Sequence, residues 1–222
     1  MWADVSAVQV YEQEEVQKLT ERQKDILDAA LRLLVEDGDN LTMAAVARRA
    51  KCSKESLYKW FGDRDGLLTA TVRWQASKVR VVPVDQGRPD LMSLTESLES
   101  YARDWLKVIS SDTSVALNRV AISHAGSGRD KLGEIVLQNG RFALAARLKP
   151  VLDAGKRAGL LVFEDAETAF RTFFGLVARD VQIRLLLGDW PGMTEAAIEE
   201  DAARATRQFL ALHGAGKAQR AE

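Results

Sequence analysis

Between Arg48 and Arg64 the chain places Arg48, Arg49, Lys51, Lys54, Lys59 and Arg64 against only two acids, Glu55 and Asp63. That is a local excess of four positive charges in a molecule whose formal net charge is −1. Cations concentrated this way in a near-neutral chain are what phosphate binding requires. Other chemistries are poorly supplied. The sequence has no Gly-rich phosphate loop, no nucleophile elbow and no H-E-x-x-H motif. His124 and His213 stand far apart without ligand-spaced partners, which argues against a metal site. With no paired catalytic groups, neither an enzyme nor a cofactor is expected. Cys52 is the single cysteine and reads as a small buried turn residue, with no intrachain disulfide and a reducing compartment as the default.

The elements that must position these groups are helical almost throughout. Four prolines and no sustained period-2 alternation argue against a sheet, so the fold class is all-α. From Thr20, Ile26, Ala30, Leu33 and Leu34 recur at helical spacing, with Gly38 as the C-cap. Thr42 caps a second helix in which Met43, Val46, Ala47 and Ala50 share one face. Ser53 caps a very short third helix, whose inner face is read as Leu57, Trp60 and Phe61. Asp63 caps a fourth that runs from Arg64 to about Val81, where the loop-like "VVPVDQGRPD" begins.

Three helices joined by tight turns, the last two in helix-turn-helix arrangement, explain why the third is so short. A recognition helix needs only its first turns in the major groove. Its inner residues anchor it and its outer ones reach phosphates and base edges. Here Lys54, Glu55, Tyr58 and Lys59 point away from the anchors. Some readings stay open: Glu55 either supports the helix as an i,i+4 partner of Lys59 or reads a base, and Arg48 and Arg49 are either solvated or bound.

The run "ILDAALRLLVEDGDNLTMAAVARRAKCSKESLYKWFGDRDGLL" resembles the DNA-binding domain of the tetracycline-repressor (TetR) family of bacterial regulators. Ile26-Leu27, Ala29-Ala30, Gly38, Thr42, Val46-Ala47, Ala50, Ser53, Leu57-Tyr58, Phe61 and Leu67 carry the match. The resemblance implies a DNA-binding domain followed by a helical domain that binds a small effector and dimerises. It implies that Thr42 and Arg64 contact phosphates, that Lys54, Glu55 and Ser56 face base edges, and that Tyr58 bonds the backbone. Lys51 stands where the family usually has glycine. A non-glycine residue there at φ > 0 costs about 1 kcal/mol, unless the turn is altered or Lys51 recovers the cost at a phosphate. The acidic start of the chain, where many relatives have a basic arm, predicts no minor-groove arm.

The expected organisation is a tail over 1–18, a DNA-binding domain over 19–68 with a connecting helix to about 81, a ligand-binding and dimerisation domain over 82–213, and a tail over 214–222. One long helix is expected to be bent or interrupted at Pro150 and closed by Gly159. Helices 165–188 and 194–212 are expected to pair with their two-fold mates, the second through Ile198, Ala202, Ala205, Phe209 and Leu212. Trp105, Phe142 and Phe174 as aromatic walls, with Asn118 and Arg119 as polar hooks inside apolar runs, make the candidate effector site. No stretch is apolar enough to span a membrane and no secretion signal is present, so the expected place is the cytoplasm. The function read here is a homodimeric repressor that binds a palindromic operator on double-stranded DNA and is released by a small molecule. The rival is a helical binding or enzymatic protein that has lost DNA binding; the basic 48–64 stretch counts against it.

Overall fold

The computed structural model describes residues 18–37, 41–84, 89–125 and 131–215. The acidic start, Gly38 and the polar tail past 215 lie outside the described residues. The helices are α1 (Glu21–Asp37), α2 (Met43–Arg49), α3 (Lys54–Phe61), α4 (Arg64–Ser77), α5 (Leu91–Ile109) and α6 (Asp112–Ser123). They continue with α7 (Leu132–Val136), a π-helical segment (Leu137–Phe142), α8 (Ala143–Arg157), α9 (Ala166–Ala178), α10 (Val181–Leu186) and α11 (Glu195–His213). Among the described residues the only extended pairing is an isolated bridge between Leu161 and Gly214.

The chain forms two compact units. The first takes residues 1–78 and 111–144, the second 79–110 and 145–222. In the first, Ile26, Leu27, Ala30 and Leu34 of α1 bury against Val46 of α2, Leu57 of α3 and Leu67, Leu68 and Val72 of α4. Leu117, Val120 and Ala121 of α6 and Leu132 of α7 close the same core. The caps follow the sequence: Thr42, Ser53 and Asp63 accept from the amides of Ala45, Ser56 and Gly66. Each supplies one of the acceptors that a helix start lacks.

Helix α4 is held from several sides within this unit. Trp74 Nε1 donates to Asp28 Oδ1 of α1 at 2.8 Å, and Lys24 and Lys78 both lie over the indole. Gln75 Nε2 donates to the hydroxyls of Ser111 and Thr113 at 3.0 and 3.1 Å, and Arg73 Nε to Asn139 Oδ1 of the π segment at 2.8 Å. A buried amide left unpaired is costly, so Gln75 and Asn139 fix α4 as well as satisfy themselves.

The second unit buries the stripe Leu94, Leu98, Tyr101 and Trp105 of α5 against Phe170 and Phe173 of α9 and Phe209 of α11. Asp104 takes both the amide and the guanidinium of Arg80, and Ser97 Oγ donates to Val82 O, which fastens the chain before α5 onto that helix.

Several expectations are corrected. Helix α4 ends at Ser77, not near Val81. Pro150 sits inside α8 on its exposed side, where water can take the carbonyl that proline leaves unpaired. It does not interrupt that helix, and the run is π-helical over Leu137–Phe142, before α8. The expected helix 165–188 breaks at Arg179, which adopts φ 42° and separates α9 from α10. The spaced residues Ile198, Ala202, Ala205 and Phe209 are buried within the protomer, and only Leu212 of that set is exposed. A heptad-like spacing says that a face is buried; here the burying surface is the chain's own.

Candidate nucleic-acid interface

Helix α3 stands on Leu57, fully buried, and Phe61. Lys54, Glu55, Tyr58 and Lys59 are exposed. Trp60, expected among the anchors, is 38% exposed. Leu57 and Phe61, four residues apart, already define the inward line; Trp60 falls at its edge. Glu55 and Lys59 form no ion pair among the described residues, and Glu55 lies in the first turn of α3, where a carboxylate favours the helix dipole.

The turn before α3 carries the departure noted above. Lys51 adopts φ 51°, the left-handed region that glycine enters without strain. The turn is closed by Cys52 N–H donating to Ala47 O at 3.0 Å, and it is braced from α1 by Arg22. One guanidinium nitrogen of Arg22 donates to Ala50 O at 2.6 Å and to Lys51 O at 2.9 Å. Sequence reading missed Arg22, since nothing local marks a contact across 28 positions. Cys52 is half-buried.

After α3, Gly62 turns the chain at φ 72°, and Gly66 lets α4 start against it. A Cβ on Gly66 would sit 2.0 Å from Phe61 O, so only glycine fits. Arg64 Nε donates to Leu41 O at 3.1 Å, which puts the first residue of α4 beside the residue preceding the Thr42 cap. The Thr42 hydroxyl accepts from Ala45 N–H and keeps its own proton to donate. Arg49 is committed elsewhere, in a two-bonded pair with Glu36 that holds the Glu36 carboxyl below its ordinary value. Arg48, Lys51, Lys54 and Lys59 are exposed and form no ion pair among the described residues. The result is a short helix anchored by Leu57 and Phe61, with unpaired cations, hydroxyls and a tyrosine exposed on it and on the residues leading into it.

Residues 26–71 match the model described as bacterial regulatory proteins of the tetR family, and residues 96–215 match that of the AefR-like transcriptional repressor C-terminal domain. A TetR transcriptional regulator of known structure from Agrobacterium tumefaciens is 45% identical, with a TM-score of 0.75 over 88% of this chain and 96% of that one. The chain belongs to the TetR family. The flavonoid-responsive regulator FrrA is 27% identical, with a TM-score of 0.63 over 87% of this chain and 97% of its own. The regulator BetI of Burkholderia cenocepacia is 41% identical over 68 residues, which span 28% of this chain and only 35% of BetI. The protein is thus a TetR-family transcriptional regulator of the DNA-binding repressor type. No described helix is long and apolar enough to cross a membrane, and no group of three His, Cys, Asp or Glu among the described residues could hold a metal.

The expected effector residues divide between the two units of this TetR-family chain. Trp105 and Phe174 come together in the second, with ring centroids 4.4 Å apart, Trp105 buried and Phe174 half-buried. Asn118, Arg119 and Phe142 belong to the first. Asn118 Nδ2 donates to Ser114 O of its own helix at 2.8 Å. Arg119 and Phe142 are exposed, and the Arg141 guanidinium lies over the Phe142 ring. A groove of 610 Å³ on the second unit runs along Leu91, Met92, Glu96 and Arg103 and includes none of the five.

Proposed function

We propose that this regulator is a homodimeric repressor that reads a palindromic operator through α3 and is released by a small, mostly apolar molecule. The observation that carries the reading is the exposed, unpaired set Lys54, Tyr58 and Lys59 on a helix held down by Leu57 and Phe61, with Lys51 exposed in the turn before it. Thr42, Lys51, Ser53, Tyr58, Lys59 and Arg64 hold phosphates and fix register, whereas Lys54, Glu55 and Ser56 meet base edges. Dimerisation uses the sides of α9 and α11 that their own protomer leaves open, among them Arg171, Gly175, Gln208 and Leu212. Effector contact centres on the Trp105–Phe174 pair; Asn118, Arg119 and Phe142 are outer candidates. FrrA, described as flavonoid-responsive, gives a precedent among relatives for an aromatic effector, which such rings suit. Release needs the effector to bind more tightly to a dimer whose half-site spacing does not fit DNA.

The test is binding of the purified full chain to the DNA flanking its own gene, read by gel shift against a scrambled duplex. A footprint on two inverted half-sites one helical turn apart is expected. Equal binding to flanking and scrambled DNA would remove the operator reading.

A further inference from the structure

Residues 1–17, "MWADVSAVQVYEQEEVQ", carry Asp4, Glu12, Glu14 and Glu15 and no Lys or Arg. We propose that this acidic segment covers the outward face of α3 when no DNA is bound, as an intramolecular competitor for the DNA-binding cations. The proposal rests on the DNA-binding reading of that face.

Three observations carry it. The first is charge: Arg48, Lys51, Lys54 and Lys59 are exposed and form no ion pair among the described residues. The segment's four carboxylates match those four cations in number and oppose them in charge. The second is apolar surface, since Tyr58 is 53% exposed and Trp60 38% on the same short helix. The segment interleaves its acids with Trp2, Val5, Val8, Val10 and Tyr11. Duplex DNA offers Trp60 little apolar area, whereas a polypeptide can cover a ring and meet a lysine together.

The third is where the segment joins the fold. Leu19 packs on the core of the first unit, and Arg22, the second residue of α1, bonds the two carbonyls of the turn that leads into α3. The acidic segment therefore leaves the fold beside the turn it would cover. Fully extended, 17 residues reach about 58 Å, against about 12 Å for the length of the eight-residue α3. A tether this short holds its acids near the lysines at a high effective concentration. Exposed pairs are individually weak and screened by salt, so the cover yields to an operator but resists loose binding to random DNA.

The experiment uses the full chain and a variant with Asp4→Asn, Glu12→Gln, Glu14→Gln and Glu15→Gln, which leaves every described contact in place. Lysine acetylation by a water-soluble ester, followed by peptide mass mapping, reports directly on the face. At about 50 mM salt, Lys54 and Lys59 should react at least about threefold faster in the variant, with Lys131, exposed on the same unit, as the unchanged control. The gap should close at high salt. Equal rates at Lys54 and Lys59 in the two proteins overturn the proposal. In parallel, the variant should bind a random-sequence duplex about fivefold more tightly at low salt, with a steeper salt dependence. Equal, measurable affinity of both proteins also overturns the cover, and leaves the DNA-binding reading intact. If neither protein binds any duplex, the DNA-binding reading fails instead, and the acetylation rates alone decide whether the segment lies on α3.

Discussion

Arg22 of α1 donates from one guanidinium nitrogen to the carbonyls of Ala50 and Lys51, and so braces a turn whose φ of 51° at Lys51 an L-residue rarely adopts. The brace and the strain belong together, because a left-handed lysine persists only where its surroundings over-determine it. Lys51→Gly should therefore raise stability by about 1 kcal/mol in urea unfolding. The same change removes a cation, so the DNA salt slope should become shallower by about 1. A stabilised protein with an unchanged slope would mean that Lys51 does not touch phosphate. Arg22→Ala should destabilise the first unit by about 1 to 2 kcal/mol.

DNA binding itself carries a quantitative signature. With Lys51, Lys59 and Arg64 as the cations on phosphate in each protomer, the plot of log K against log salt for a dimer should fall with a slope of about −5. Tyr58→Phe should weaken binding to all sequences alike, and Lys54→Ala should change which operator is preferred. Arg64→Ala removes a bond to Leu41 O as well as a cation, so its effect on affinity should be compared with its thermal melt. Lower affinity and a shallower slope at unchanged melting temperature assign Arg64 to phosphate.

How far the sequence reveals this molecule depends on how local each cause is. Thr42, Ser53 and Asp63 were legible as caps because a cap acts on amides two or three residues away. The recognition helix was legible from the charge cluster and from Leu57 and Phe61. Trp60 was not, since an eight-residue helix gives too little periodicity to separate its edge from its inside. The brace by Arg22 and the bonds from Trp74 to Asp28 and from Arg73 to Asn139 join distant positions, and no spacing rule reports them. The break at Arg179 has no glycine or proline to announce it. The α11 spacing gave a buried face but could not name the partner.

That last correction changes the dimer experiment. Ala205 is fully buried in its own protomer, so Ala205→Arg should unfold the second unit whether or not a dimer forms. Gly175 is the better probe. It is exposed on α9, and a Cβ there meets nothing within 4 Å in the protomer. Gly175→Arg should leave the helix intact or better formed and convert the dimer to monomer by light scattering. A dimer that survives with unchanged affinity for a palindrome places the interface elsewhere.

The Trp105–Phe174 pair can be probed without knowing the natural effector. Quercetin, a flavonoid, serves as the first probe because of the resemblance to FrrA. Phe174→Trp adds bulk 4.4 Å from the Trp105 ring centroid. It should weaken the probe's release of bound DNA while operator affinity stays within about threefold. Loss of DNA binding without any probe would make Phe174 a core residue only.

The position of α4 gives the last prediction. Trp74 donates its indole proton to Asp28 at 2.8 Å, Lys78 lies 3.8 Å from the same carboxylate, and Lys24 and Lys78 cover the ring. Trp74→Phe keeps an aromatic face for both lysines but withdraws the donor from Asp28. The direct cost should be about 1 kcal/mol of stability. Because α4 begins at Arg64 and supports α3 through Leu67 and Leu68, loosening it should also lower operator affinity a few-fold. Trp74 is not among the residues assigned to phosphate, so the salt slope should stay the same. Affinity that falls together with the slope would place Trp74, or a lysine it orients, on the DNA itself. Affinity that does not fall at all would show that the bond to Asp28 stabilises the unit without setting the recognition helix.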